Sequence, residues 1–288
     1  MPALLEKLRL QTIAIHEVII IDSQSTDTTL KVAADFGADI LRIPREKFDH
    51  GRTRNQAAEK ASGDIIVFMT QDAIPADNLT IENLIKPLTE PSIIVSYARQ
   101  LPKEGTKITD RFLRLYNYPE ISMVRSKKDI DNLGIKTFQN SNVCAAYRSK
   151  EFKLLGGFHQ PIVSNEDMLF AAKAILAGYQ VAYSASATAY HSHNYNYISL
   201  FKRYFDIGAS LDRQPLIMQR GNANSKGLNF VRNQLKYVIK ENSSMSIPDV
   251  FLEAFAKYIG FKLGTSHRFI PKSLKKYLGL QTNYWLNN

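Results

Sequence analysis

The run Asp64-Ile65-Ile66-Val67-Phe68-Met69, ending in Thr70-Gln71-Asp72, decides the fold. An apolar stretch this short, bounded by Gly63 and an acid, reads as a strand buried on both faces, as in a parallel sheet. The segments around it follow the same alternation. Glu17 to Asp22 is an apolar strand ending in an acid. Ser25-Thr26-Asp27 then caps a helix to about Phe36, and Gly37 stops it. Ala38 to Ile43 reads as a strand, Thr53 to Ala61 as a helix, Leu79 to Leu88 as a helix and Ser92 to Ala98 as a strand. The order predicts an α/β fold with a doubly wound, Rossmann-like, mostly parallel sheet. Ligands of such sheets lie beyond the carboxyl ends of the strands, so Asp22 and Asp72 are expected to face one pocket.

Residues 101–136 are charged and irregular, with one helix predicted from Thr109 to Tyr118. Thr137 to Tyr147 reads as a strand, Glu166 to Ala177 as a helix closed by Gly178, and Tyr179 to Ala185 as a strand. His191 and His193 follow it. From Tyr197 on the pattern is helical, over 197–212, 228–241 and 249–263, with Gly221 to Gly227 as a loop or hinge. The expected division is an α/β domain over 1–205 and a basic helical region over 206–288.

The 288 residues, 44% of them hydrophobic, suffice for a sizeable core. A single cysteine, Cys144, excludes a disulfide framework, fits a reducing compartment and reads as a small buried hydrophobe. No apolar run reaches the ~18 residues that span a bilayer, and no signal peptide opens the chain. The net charge of +10 is uneven: residues 197–288 carry 14 Lys and Arg against 5 Asp and Glu. Leu228, Val231, Leu235 and Val238 form one apolar stripe there, and Phe251, Phe255, Tyr258 and Ile259 another, punctuated by lysines. Basic amphipathic helices of this kind fit an anionic membrane surface. Aromatics such as Phe230 and Phe251 at helical spacing read as core or lipid-facing stripe rather than base-stacking platforms, so no nucleic acid is expected. The expected location is cytoplasmic, peripheral on the inner face of the membrane.

Three polar sites carry chemistry. Asp72 follows an apolar strand, where an acid is costly without a partner; ligation of Mg²⁺ or Mn²⁺ at a diphosphate is one such use. His191 and His193 alternate on an extended segment, so at most one of them is expected to face that metal. Glu166-Asp167 open a helix, where an acid complements the dipole or takes a proton from an acceptor hydroxyl. Asp22 and Ser25 form either a helix-capping turn or a nucleotide contact. Arg54 and Asn55, at a helix start, suit phosphate or an ordinary surface.

Over about residues 3–205 these segments together resemble the family 2 glycosyltransferases of the GT-A fold, in their bacterial rhamnosyltransferase branch. Ile20-Ile21-Asp22-Ser23-Gln24-Ser25-Thr26-Asp27 resembles the family's nucleotide-binding strand and turn. Phe48-Asp49-His50-Gly51-Arg52-Thr53-Arg54-Asn55 resembles a branch-specific segment. Phe68-Met69-Thr70-Gln71-Asp72 stands where the family carries its DxD metal motif, with Thr70 replacing the first acid. Asn165-Glu166-Asp167-Met168 resembles the catalytic segment, whose base falls on Asp167, and His191-Ser192-His193 the segment completing the metal site. Segments around Arg99-Gln100, Tyr118-Pro119 and Gln139-Asn140-Ser141-Asn142 resemble those near donor sugar and acceptor, placing Arg99, Gln139 and Asn142 there. Gln71 joins the nucleotide-binding set. The resemblance implies an inverting transferase that moves a deoxyhexose, L-rhamnose from dTDP-L-rhamnose, to a glycan or lipid-linked glycan of a cell-surface polysaccharide such as O-antigen, with Mg²⁺ or Mn²⁺ as cofactor. Met1-Pro2-Ala3-Leu4-Leu5-Glu6 resembles the helix after the family's first strand, so that strand is expected to be missing from the nucleotide-binding half. Transfer of another nucleotide sugar, or a binding or scaffold role without catalysis, are the alternatives at this point.

Overall fold

The computed structural model describes the backbone of residues 1–212 and 223–287, and their side chains except at 223–226. The elements in chain order are α1 (Pro2–Arg9), β1 (Ile19–Asp22), α2 (Thr29–Phe36), β2 (Asp39–Arg42), α3 (His50–Lys60), β3 (Ile65–Met69), β4 (Ile74–Pro75), α4 (Thr80–Ile85) and β5 (Ile93–Leu101). They continue with α5 (Ile108–Asn117), β6 (Met123–Arg125), α6 (Ile130–Leu133), β7 (Cys144–Arg148), α7 (Ser149–Leu154), α8 (Glu166–Leu176) and β8 (Gln180–Tyr190). The last are α9 (Tyr197–Asp212), α10 (Ala223–Lys240), α11 (Ile247–Thr265), α12 (Lys272–Leu278) and α13 (Thr282–Asn287).

The α/β class stands, but strand direction departs from the mostly parallel expectation. β1 and β2 pair in parallel in a two-stranded sheet. The larger sheet has the order β3-β7-β5-β8-β4, with β6 also on β8. Within it only β5 and β8 run parallel; the other pairs are antiparallel. Local alternation of strand and helix does not encode direction once irregular segments such as 101–136 replace crossover helices. β3 is accordingly not buried on both faces: it lies at the sheet edge, and Ile65 is exposed while Ile66 and Phe68 are buried. The strand expected over Thr137 to Tyr147 begins only at Cys144, because a 3₁₀ turn occupies Gly134–Phe138.

The main core lies between this sheet and α8. Phe68, Tyr147, Phe152, Phe158 and Phe170 form an aromatic cluster there, with ring centroids 4.9–5.9 Å apart. Cys144 is buried in the sheet, which pushes its thiol up to about 12 and leaves it unreactive.

α3 begins at His50, three residues before its predicted start, because the Asp49 carboxylate accepts from Arg52 N at 2.8 Å as an N-cap. The same carboxylate accepts from Ile162 N at 2.7 Å. Asn55 receives Phe158 N and donates to Phe158 O, both at 2.9 Å. A Cβ on Gly51 would run into the His159 carbonyl. α3 is thereby clamped to the loop that leads into α8.

α9 runs unbroken through residues 205 and 206. α11 packs along it at backbone contact: a Cβ at Gly208, Gly260 or Gly264 would strike the carbonyl oxygen of Phe261, Phe201 or Phe205 respectively. α10 lies on α5 through Phe230, whose ring is 5.3 Å from that of Phe112. Of the loop expected over Gly221 to Gly227, residues 221–222 lie outside the described residues and the remainder is in α10. The C-terminal segment is pinned by Asp206 of α9, which accepts from Trp285 Nε1 (2.7 Å), Leu280 N (2.8 Å) and Gln281 N (3.0 Å).

Candidate active site

Asp72 lies just past β3, in a turn closed by Ala73 N on Thr70 O. Its Oδ2 is 3.4 Å from His191 Nε2 and 3.6 Å from His193 Nε2. The two rings meet edge-on, 4.6 Å between centroids. Both histidines therefore face Asp72, against the expectation that at most one would. β8 ends at Tyr190; His191 N still bonds Leu101 O, but His193 N turns to the Asp110 carboxylate. Alternation belongs to a pleated strand and lapses where the chain leaves the sheet.

The donor set fits a divalent cation. Gln100 Oε1 accepts from Arg114 at 2.6 Å, and Gln100 Nε2 donates to Tyr118 Oη (2.7 Å) and Ser141 Oγ (2.9 Å). These bonds fix the amide orientation. His191 Nδ1, 3.0 Å from the same Oε1, must then carry the proton, and His191 Nε2 turns a lone pair toward Asp72. Two acceptors facing each other at 3.4 Å are satisfied by a cation between them. Burial lowers the basicity of both imidazoles, that of His193 to about 4 with the help of His191, so both are neutral ligands at pH 7. The ligand atoms lie within 4.8 Å of one another, and two imidazoles with a carboxylate suit an ion such as Mn²⁺.

The same Gln100 leads to the second half of the site. It bonds Ser141, and the next residue, Asn142, donates its N–H to Asp167 Oδ2 at 2.9 Å. Asn165 precedes α8 in the left-handed region (φ 62°), which Asn tolerates, and its side chain donates to Ser210 of α9. Glu166 and Asp167 thus sit in the first turn of the helix. Glu166 is buried and pairs with Arg54 at 3.0 Å, and it accepts from Asn142 Nδ2 at 3.0 Å. Asp167 keeps partial solvent access. Burial, then the Glu166 charge, push its carboxyl up to about 7. Burial would raise Glu166 too, but Arg54, His50 and the Asn142 amide outweigh it and hold Glu166 below its ordinary value.

The remaining candidates are placed differently. Asp22 is buried and accepts from Ser25 N at 3.1 Å, closing its own turn. Among the described residues no hydrogen bond joins it to Asp72. Arg54 is committed to Glu166 and to His50, and Asn55 to Phe158. Gln71 is exposed. Arg99 pairs with Glu120 at 2.8 Å, and Gln139 bonds the Asn117 carbonyl and supports Arg125. Asn142 belongs to the Asp167 cluster. Residues not singled out from the sequence are Gln100, Arg114, His50 and Tyr147, whose Oη donates to Asn142 at 2.6 Å. Gln100 and His50 lay inside segments that carried the resemblance; nothing local marked Arg114 or Tyr147.

Residues 1–155 match the model of glycosyl transferase family 2. The chain belongs to glycosyl transferase family 2. It is 41% identical to the O-antigen chain rhamnosyltransferase RfbN of Salmonella typhimurium, over 99% of this chain and 92% of that protein. It is 39% identical to the O-antigen chain rhamnosyltransferase WbaN of Salmonella anatum, over 96% and 88%. Among solved structures it is similar to the mannosyltransferase PcManGT of Pyrobaculum calidifontis in complex with GDP-Man and Mn²⁺ (TM-score 0.59, 16% identity, 92% of this chain and 81% of that one). It is also similar to S. aureus TarS 1–349 in complex with UDP-GlcNAc (TM-score 0.53, 16% identity, 92% and 86%). At that identity the likeness concerns the GT-A fold. The protein is a family 2 glycosyltransferase.

Proposed function

We propose that this glycosyltransferase moves L-rhamnose from dTDP-β-L-rhamnose, with inversion, to a hydroxyl of a growing cell-surface glycan of the O-antigen type. The observation that carries this reading is the linkage of Asp167 to the Asp72–His191–His193 cluster through Gln100 and the Ser141–Asn142 turn, in a chain 41% identical to an O-antigen rhamnosyltransferase. The acceptor oxygen attacks the anomeric carbon from the face opposite the diphosphate. Its proton passes to the Asp167 carboxylate as the new C–O bond forms. The old C–O bond breaks, and its electron pair leaves on the diphosphate. One base and no enzyme nucleophile suffice for inversion. Asp72, His191 and His193 would hold Mg²⁺ or Mn²⁺, which when bound supplies positive charge against the departing diphosphate. A base titrating near neutral pH suits this chemistry, being ionised often enough to act and basic enough to keep the proton.

A donor panel tests this reading. Purified protein with Mn²⁺ and an extract of lipid-linked glycan should release dTDP from dTDP-L-rhamnose faster than nucleoside diphosphate from GDP- or UDP-sugars. Preference for another nucleotide sugar would replace the donor. Nucleotide binding without turnover of any donor would favour a binding role.

The acceptor implies a membrane site. Among the described residues no helix is long and apolar enough to cross a bilayer. α11, however, exposes Phe251 (54%), Phe255 (66%) and Tyr258 (56%) on one face, with Lys262 beside Tyr258. Its other face, Val250, Ala256, Gly260 and Gly264, is buried against the protein. An aromatic face in a region of strong positive charge fits the cytoplasmic leaflet, where each basic residue contributes about 1 kcal/mol. Sedimentation with anionic vesicles should capture the protein at low salt and release it at high salt. Equal capture by neutral vesicles would refute an electrostatic role for the lysines.

A further inference from the structure

Two carboxylates stand side by side at the start of α8, yet their surroundings are opposite. Glu166 is enclosed: Arg54 Nη1 lies 3.0 Å from its Oε1, and Asn142 Nδ2 donates to the same oxygen at 3.0 Å. Arg54 is itself fixed, donating to His50 Nδ1 at 3.1 Å and to the His50 carbonyl at 3.2 Å. Among the described residues the Asp167 carboxylate receives only backbone N–H groups, from Asn142 at 2.9 Å and Met168 at 2.7 Å, and it keeps partial solvent access. Asn142 therefore touches both carboxylates, its amide on one and its backbone on the other. Tyr147 locks that residue by donating to Asn142 Oδ1 at 2.6 Å and accepting from Asn140 Nδ2 at 2.7 Å.

We propose that Glu166 is a positioning residue for the base: the Arg54–Glu166 ion pair, steadied by His50 and Asn142, fixes a negative charge beside Asp167 and strengthens it as a proton acceptor. This rests on the reading of Asp167 as the base. It gives Arg54 a role other than phosphate binding, and Glu166 a role other than reserve base. A buried carboxylate held by two donors is a poor proton acceptor, because protonation would break the ion pair. Its charge still reaches the neighbouring carboxyl through a low-dielectric interior.

The charged and titratable groups around the pair come from several elements. α3 contributes Arg54 and His50, with Asp49 at its cap. β7 contributes Tyr147, and the residue after α5 contributes Tyr118; Asn140 and Asn142, between α6 and β7, add uncharged hydrogen-bond donors. Arg203 of α9 acts on His50. The tyrosines stay neutral, since burial raises both. Glu166 is thus the negative charge that acts most strongly on Asp167; burial is the only larger influence, and the Arg54 charge acts on Asp167 in the opposite sense with a smaller effect.

The experiment pairs a pH–rate profile with carboxyl ¹³C NMR titration, in which Asp167 is assigned by its loss in Asp167→Asn. In Glu166→Gln, which keeps the amide–arginine contact, the acid limb and the NMR titration of Asp167 should both move down by about one pH unit, a tenfold gain in ionised Asp167 below the limb. The plateau above it should fall, because the base is weaker. Arg54→Met should raise the titration of the Glu166 carboxyl above its ordinary range, and Arg54→Lys should largely restore it. A uniform loss of rate in Glu166→Gln with an unmoved limb and an unmoved Asp167 resonance would overturn the proposal. So would an unchanged Glu166 titration in Arg54→Met, which also serves if Glu166→Gln does not fold. The NMR arm needs no turnover, so failure to transfer rhamnose and failure of this inference give different results.

Discussion

Gly157 offers a test of how the fold carries the site. Its φ of +64° is in the left-handed region, where a side chain costs about 1–2 kcal/mol. A Cβ there would also lie 2.6 Å from Asn55 Oδ1 and 3.2 Å from Asn55 Cγ. Asn55 has no free direction, since its amide is held by Phe158 N and Phe158 O at 2.9 Å each. Moving it forfeits those buried bonds, at about 1–3 kcal/mol. Gly157→Ala should therefore cost roughly 2–5 kcal/mol in all. Gly156 is the control: its φ is +77° but nothing lies within 4 Å of an added Cβ. Gly156→Ala should show the backbone cost alone, about 1–2 kcal/mol. The difference between the two isolates the Asn55 contact. Asn55 follows Arg54 on α3, so loosening it shifts the Arg54–Glu166 pair. A misplacement of this order should slow transfer by about 10²-fold in Gly157→Ala, and little in Gly156→Ala. Denaturant unfolding and donor-turnover kinetics on both variants are the assays. Equal stability loss and equal rates in the two variants would refute the clamp between α3 and the loop before α8.

Transfer should follow the ionisation of Asp167, whose carboxyl is raised to about 7 by burial and Glu166: the kcat/KM of the wild type should rise about tenfold between pH 6 and pH 8, and Asp167→Asn should lose roughly 10²–10⁴-fold at every pH. A flat profile would remove Asp167 as the base. Chelation should abolish transfer and Mn²⁺ or Mg²⁺ restore it, with Asp72→Ala losing metal-dependent donor binding measured by calorimetry; full activity in chelator would end the metal assignment. Asp206→Ala should strand the Trp285, Leu280 and Gln281 donors and destabilise the fold by on the order of 2–4 kcal/mol, with the Trp285 fluorescence reporting release of the C-terminal segment. Unchanged Trp285 emission and melting would show that the pin is dispensable.

The sequence by itself determined the elements that depend on near neighbours. Apolar runs, the Gly37 and Gly178 stops and the acidic turn at Glu166-Asp167 are local, and the helices at 29–36, 166–176 and 197–212 fall close to their predicted positions. The segments around Asp72, Asp167 and His191 were legible because their residue types are unusual for their positions. Strand direction in the larger sheet was not legible, because pairing is set by partners far along the chain, such as Phe68 with Ala145 and Tyr97 with Tyr183. Nor was the convergence of both histidines on Asp72, which depends on the chain leaving the pleat after Tyr190. Residue type alone left Arg54 open to phosphate. Only the packing of α3 against the loop before α8, enforced where Gly51 meets the His159 backbone and Asn55 meets Phe158, brought its guanidinium to Glu166 across more than a hundred residues. A charge finds its partner through the tertiary fold, since the field it answers to comes from whatever the core has placed beside it.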